Sequence, residues 1–265
     1  MTERLIGIAL LTLTIHAAET LSYAVRMAGI RTGKLAIALS LTGMIVLVAR
    51  TSNIAQGTMT GKIVDFAKTH GDFDLAGSFR FIIGGASAGT LVAIALFPTF
   101  VQLSARLIAH LEKAGSVPGM ARSLMRADAI RHSVHHIRRP RLAMVRRFRK
   151  GGYPLRLMLL NGFVTAIYTV GVLAALYASS LPGPYSIGIS QSSGLINGLA
   201  TILLTVLIDP HVALMTDRAL RQEAALASVN QLYGALMLSR LGGTLLAQAL
   251  FLPAAYWVQW AVPYL

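Results

Sequence analysis

Three long stretches of this chain carry no charged residue: Phe81 to Ala105, Leu157 to Ile208, and Leu241 to Leu265. A helix that crosses the hydrocarbon core needs about 20 apolar residues and satisfies its backbone polar groups within the segment. The stretch from Leu157 to Ile208 is long enough for two crossings, with a break at Pro182 and Pro184. Two further apolar segments precede Phe81. Hydropathy therefore predicts six spans, at 5–25, 35–57, 79–104, 155–178, 192–213 and 233–261. Composition agrees, with 55% hydrophobic and 13% charged residues and a mean hydropathy of +0.63. A soluble domain this apolar would lack the polar groups to cover its surface. The first span is read as a retained helix, because Glu19 and Arg26 stand where a signal peptide would need small residues for cleavage.

Charge sets the orientation. The formal net charge is +14, and +11 of it lies between Arg106 and Arg156, where thirteen Lys and Arg face Glu112 and Asp128. A run this basic in a soluble protein would point to nucleic acid. Between spans it marks the cytoplasmic loop instead, and no nucleic-acid partner is expected. The turn with Arg26, Arg31 and Lys34 then falls inside. A loop with Asp65, Asp72 and Asp74, the 182–193 connection and both termini fall outside.

An internal repeat organises the spans. GTLVAIALF from Gly89 to Phe97 matches GTLLAQALF from Gly243 to Phe251 at all but two positions, and each string is followed closely by a proline, Pro98 or Pro253. Each half combines a helix pair around a short turn, a loop with an aspartate (Asp65 or Asp217), and the repeated helix. Three spans per half is an odd number, so the copies run in opposite directions. The predicted architecture is all-α: two inverted three-helix repeats, 1–114 and 154–265, joined by a basic cytoplasmic linker at 115–153. Inverted repeats are typical of transporters that bind substrate between the halves; the bland alternative is a duplication without a transport role. Gly85, Gly89 and Ala93 on one side, and Ser239, Gly243 and Ala247 on the other, have the four-residue spacing of close helix contacts. The third and sixth spans are expected to meet through them.

Polar and charged residues at bilayer depth normally face a partner or a wet cavity. His16, Glu19 and Tyr23 share one face of the first span. Arg50 and Asn53 lie on the second span, beside Ser40, Gly43 and Gly57. Ser193, Asn197, Thr201, Thr205 and Asp209 recur every four residues on the fifth. Asn161, Arg240 and Gln248 complete the set. A structural account pairs Glu19 with Arg50 and Asp209 with Arg240. A functional account has Arg50 and Arg240 facing a central cavity that receives an anion, since guanidinium grips phosphate in a forked geometry and keeps its charge when desolvated. His16 beside Glu19 reads as a hydrogen-bonded interhelical contact rather than a proton relay.

The linker is expected to continue the third span as a helix, break at Gly115–Gly119, and form a second helix to about Arg139. Its basic run, Arg138 to Lys150, suits anionic membrane lipids as well as topology. His132, His135 and His136 lack the accompanying carboxylates or thiolates of a metal site. The chain has no cysteine and no HExxH, GxSxG or Walker A motif, so no catalytic residue, metal or cofactor is assigned.

The segment from Glu19 to Lys34 (ETLSYAVRMAGIRTGK), with Ala36 to Ser40 (AIALS) and Ala49 to Asn53 (ARTSN), resembles the N-terminal signature of the Amj-type alternate lipid II flippases. It departs from that signature at Thr42-Gly43-Met44, where a more apolar or Phe/Asn-containing stretch is expected. The resemblance implies a bacterial cytoplasmic-membrane protein that moves lipid II, the undecaprenyl-pyrophosphate-linked peptidoglycan precursor, to the outer leaflet. On that reading Arg26 and Arg31 capture the diphosphate at the cytoplasmic mouth and Arg50 holds it in transit. Glu19, His16, Tyr23, Asn53, Asn197, Asp209 and Arg240 line the route. Other readings are a flippase for another polyprenyl-phosphate carrier, a non-transporting scaffold for wall synthesis, or an intramembrane enzyme using His16 and Glu19.

Overall fold

Six helices long and apolar enough to cross a membrane run through the computed structural model: α1 (Thr2–Thr32), α2 (Leu35–Thr69), α3 (Leu75–Ala114), α4 (Leu155–Ser180), α5 (Ser186–Leu220) and α6 (Leu226–Ala261). The structure describes residues 1–116, 119, 155–221 and 226–265. Most of the linker, including the expected second helix, the basic run and the three histidines, lies outside them. The helices outrun the apolar segments that predict them. Asp65 and Asp217, expected in loops, are helical as a result.

Local chemistry explains the boundaries. Gly33 (φ 68°) ends α1 in the left-handed conformation, and the Lys34 N–H reaches back to the Gly29 carbonyl at 2.9 Å. Lys34 then pairs with Glu112 near the end of α3. Asp74 caps α3, accepting from the Gly77 N–H at 2.8 Å. Gly115 (φ 67°) stops α3 at the expected break. Within α5, Leu204–Ile208 form a π-helical turn.

Packing divides the six helices into two kinds. α1 packs most extensively on α3, and α4 on α6; α3 then meets α6 to join the two pairs. In each half the middle helix, α2 or α5, lies chiefly against the first helix of its triplet, so the order of packing is the same in both. The best apolar windows of α2 and α5 are 22% and 17% buried, against 44% to 56% for the other four. Four helices thus form a scaffold, and α2 and α5 lie at its edge with no extended contact between them.

The core is likewise in two parts. Tyr23, Ile108, Leu157 and Tyr233 belong to one cluster, on the side where α1 ends and α4 begins, here called the linker side. Ile8, Phe79, Leu173 and Phe251 belong to the other, on the far side.

The repeated small residues do not meet one another across the halves. A Cβ on Gly89 would collide with the Leu13 carbonyl of α1, and one on Gly243 with the Gly162 carbonyl of α4. Each glycine therefore seats its helix on the first helix of its own half. α3 and α6 do touch, on a different face and in antiparallel sense. Phe79 packs on Phe251 with ring centroids 5.9 Å apart. Arg80 Nη1 donates to the Gln248 carbonyl at 2.9 Å, while Gln248 Nε2 donates to the Arg80 carbonyl at 2.9 Å. The expected seam exists, but it runs within each half because the GTL face of each helix points toward its own first helix.

Candidate functional site

Two cavities lie end to end among α2, α4 and α5. The far-side cavity, about 810 Å³, is walled by α2 from Arg50 to Thr58, α4 from Tyr168 to Leu176, and α5 from Ser190 to Ile202. The linker-side cavity, about 250 Å³, adds α1 and α6 to its walls through Glu19, Tyr23, Arg26 and Arg240. Arg50, Tyr168 and Thr201 line both. These three form the partition near the middle of the bundle. Arg50 is the sixteenth of 35 residues in α2, and Thr201 the sixteenth of 35 in α5.

The intramembrane charges pair differently from the structural account above. Arg240 Nη2 donates to Glu19 Oε2 at 2.7 Å, with side chains only 9% and 11% exposed. Arg26 lies 3.5 Å from Asp209. Both pairs join the first half to the second, because α1 faces α5 and α6 on the linker side. This leaves Arg50, which has no carboxylate or hydrogen-bond partner among the described residues and is exposed to both cavities. An isolated cation at bilayer depth is unfavourable by about 2.5–3.5 kcal/mol on insertion scales, so its place is a wet cavity.

Asn53, one turn from Arg50, donates from Nδ2 to the Tyr168 hydroxyl at 3.2 Å and fixes that ring at the partition. His16 is buried behind it, 6.4 Å from the Tyr168 ring centroid, with Nδ1 unpaired. It lines neither cavity. Tyr23 stacks on Tyr233 with centroids 5.6 Å apart while lining the linker-side cavity. Arg31 is also outside the cavity, donating from Nη2 to Asn230 Oδ1 at 3.4 Å. Thr42 and Gly43, where the chain departs from the family signature, line the linker-side cavity. Asn161 is a packing group: its Nδ2 donates to the Leu236 carbonyl at 3.0 Å and to Ser239 Oγ at 2.6 Å, tying α4 to α6.

The polar stripe of α5 splits between the cavities. Ser193 and Asn197 face the far side, Thr201 the partition, and Asp209 the linker side. Eight residues of regular helix would turn Asp209 about 80° away from Thr201. The π turn absorbs one residue and reduces the offset to about 20°. That extra residue keeps both on the cavity face.

Tyr168, which completes the partition, is not among the residues that sequence reasoning singles out. A signal is present: Asn161, Thr165 and Tyr168 follow one another at spacings of four and three, on one face of α4. Gln56 and Gln191 are missed in the same way. Gln56 Nε2 donates to Thr12 Oγ1 at 2.6 Å, joining α2 to α1, and Gln191 lines the far-side cavity. Among the described residues no group of three His, Cys, Asp or Glu is placed to hold a metal.

A protein-family model described as Amj, Alternate to MurJ, matches residues 11–262. A curated relative, lipid II flippase Amj of Bacillus subtilis (strain 168), is 38% identical over 261 residues, covering 98% of this chain and 97% of the relative. No solved structure matches the chain.

Proposed function

The chain belongs to the Amj family, and we infer that it is a lipid II flippase, a transporter rather than an enzyme. Lipid II presents three different problems to a bilayer. Its diphosphate is anionic, its headgroup is bulky and polar, and its polyprenyl tail is at home in hydrocarbon. A route between α2 and α5, whose apolar faces remain exposed, lets the tail stay in lipid while the headgroup passes inside. Exposed Ile54 and Ile202 line the far-side cavity from the two helices.

The observation that carries this reading is the unpaired Arg50 on the wall common to both cavities. Diphosphate reaching the middle of the membrane meets there a guanidinium with no carboxylate to displace. Arg26 and Arg240 rest on Asp209 and Glu19 in the linker-side cavity, so they are available for an arriving anion only as those contacts loosen. Arg31, beside the mouth, serves initial capture rather than transit. Tyr23, Asn53 and Asn197 complete the polar lining.

The basic linker lies in the cytoplasm on this reading, in the bacterial cytoplasmic membrane, and both termini lie outside. Its cationic residues hold anionic headgroups with about 1 kcal/mol each near the surface. The halves, 1–114 and 154–265, act as inverted repeats that rearrange about the α3–α6 contact. The shared packing order and the matching positions of Arg50 and Thr201 support this arrangement.

Arg50→Ala is expected to abolish rescue of cells lacking other lipid II flippases while the protein still inserts and accumulates. Leaflet accessibility of labelled lipid II in proteoliposomes gives the direct readout. Normal flipping by Arg50→Ala removes Arg50 from the mechanism.

A further inference from the structure

The two cavities differ in chemistry more than in size. Five charged side chains line the linker-side cavity: Glu19, Arg26, Arg50, Asp209 and Arg240. Among the described residues Arg50 is the sole charged one lining the far-side cavity, and it sits at the partition. The remaining polar groups there are neutral amides and hydroxyls, among them Asn53, Gln191, Ser193, Asn197 and Thr201.

Half of these groups are committed, since Asn53 bonds to Tyr168, Thr58 to the Ile54 carbonyl and Ser190 to the Ile187 carbonyl; four on α5 are not. Elsewhere in the bundle, threonine hydroxyls bond back to the carbonyl four residues earlier, as Thr12, Thr20, Thr60, Thr90, Thr165 and Thr169 do. Gln191, Ser193, Asn197 and Thr201 make no side-chain hydrogen bond to any described residue, and Asn197 Oδ1 is buried without a partner. A Cβ on Gly171 of α4 would approach that oxygen to 2.6 Å, so the glycine leaves the space in which the amide is held. Gln191, Ser193, Thr201 and the Nδ2 end of Asn197 are left open on one wall, and they suit a ligand that supplies neutral donors and acceptors. Cavities of about 300–1,000 Å³ are usual for small-ligand sites.

We propose that the far-side cavity is a saccharide subsite: Gln191, Ser193, Asn197 and Thr201 bind the uncharged sugar of the carrier lipid while Arg50 holds its diphosphate at the partition. The proposal rests on the flippase reading and adds to it which part of the substrate each cavity takes. Sugar hydroxyls and N-acetyl amides match the wall in both donors and acceptors. The charged cavity behind the partition then receives the diphosphate and not the sugar.

The test measures binding to the purified full-length protein in nanodiscs with three probes: undecaprenyl pyrophosphate, the same carrier bearing the disaccharide with its lactyl carboxyl capped as a simple amide in place of the peptide, and lipid II. The native chain is expected to bind both sugar-bearing lipids at least tenfold more tightly than the bare pyrophosphate. Asn197→Ala and Gln191→Ala should each weaken the two sugar-bearing lipids by about threefold to tenfold and leave the bare pyrophosphate unchanged. Gln191 is exposed, so its truncation keeps the test valid if Asn197→Ala fails to fold. Equal weakening of all three probes, or no weakening of any, overturns the saccharide subsite. Selective loss of lipid II alone also overturns it, by assigning the wall to the peptide. Arg50→Ala reports on the parent reading separately. It should weaken all three probes, and unchanged binding of bare pyrophosphate would overturn the diphosphate site and this proposal with it.

Discussion

The helix contacts of the scaffold and the cavity faces of the two edge helices use polar residues and glycines differently. In the scaffold, buried polar groups are largely used up on protein: Asn161 ties α4 to α6, and Glu19 ties α1 to Arg240. Where scaffold helices meet, their glycines are close-packed, with Gly85, Gly89 and Gly243 set against backbone carbonyls, while Gly7 and Gly242 face open space. On α2 and α5, Arg50, Gln191, Asn197 and Thr201 have no protein partner among the described residues, and Gly43, Gly194 and Gly198 face open space. In lipid the hydrophobic effect cannot hold helices together, so association depends on close contact and hydrogen bonds. Helices that forgo both are free to line a route. The difference between the two sets is one between holding the bundle and bordering the cavities.

Substituting glycines is the strongest way to break that comparison. Gly89→Leu or Gly243→Leu drives a side chain into a neighbouring backbone and should destabilise the bundle by several kcal/mol, read as loss of monodisperse protein in detergent. Gly194→Ala and Gly198→Ala, placed in open space, should leave thermal stability near that of the native chain. Equal sensitivity at both kinds of site would end the distinction.

Next in size is the buried ion pair. Glu19→Gln or Arg240→Met alone strands the other charge and should destabilise by about 3–5 kcal/mol. The double variant should recover most of the loss in thermal melts of detergent-solubilised protein. An additive double variant would mean that the 2.7 Å contact does not couple the two halves.

Asn161→Ala removes two hydrogen bonds between α4 and α6. Interhelical hydrogen bonds in membranes average about 0.6 kcal/mol each, so a drop of roughly 1–2 kcal/mol is expected in the same melts. Arg50→Ala sharpens the comparison from the opposite end. With no partner to strand, it should change stability by less than about 0.5 kcal/mol while eliminating flipping. A large stability loss at Arg50 would class it with the scaffold.

Much of the scaffold is legible along the chain. Run length and charge are properties of each segment against its solvent, so they disclose the number of spans, the break at Gly115, and Arg50 as a charge at mid-depth. The face shared by Glu19 and Tyr23 follows from helical spacing, and both line the linker-side cavity. His16 shares that face but is buried behind Tyr168, because a helical face is wider than the cavity it borders. The small-residue pattern indicates that α3 and α6 pack closely on something, without indicating on what.

By itself the sequence determined an all-helical membrane protein with six helices long and apolar enough to cross the bilayer, and a basic segment between the third and fourth. Residue spacing fixes azimuth around a helix's own axis and leaves open how one helix is turned toward the next. Only the tertiary structure decided that Glu19 pairs with Arg240 and Arg26 with Asp209. It alone set Gly89 against Leu13 and brought Asp209 back to the cavity face through a π turn. Arg50 was one charge among several in the sequence. Packing, by giving the other cavity-lining charges their partners, left it facing both cavities alone.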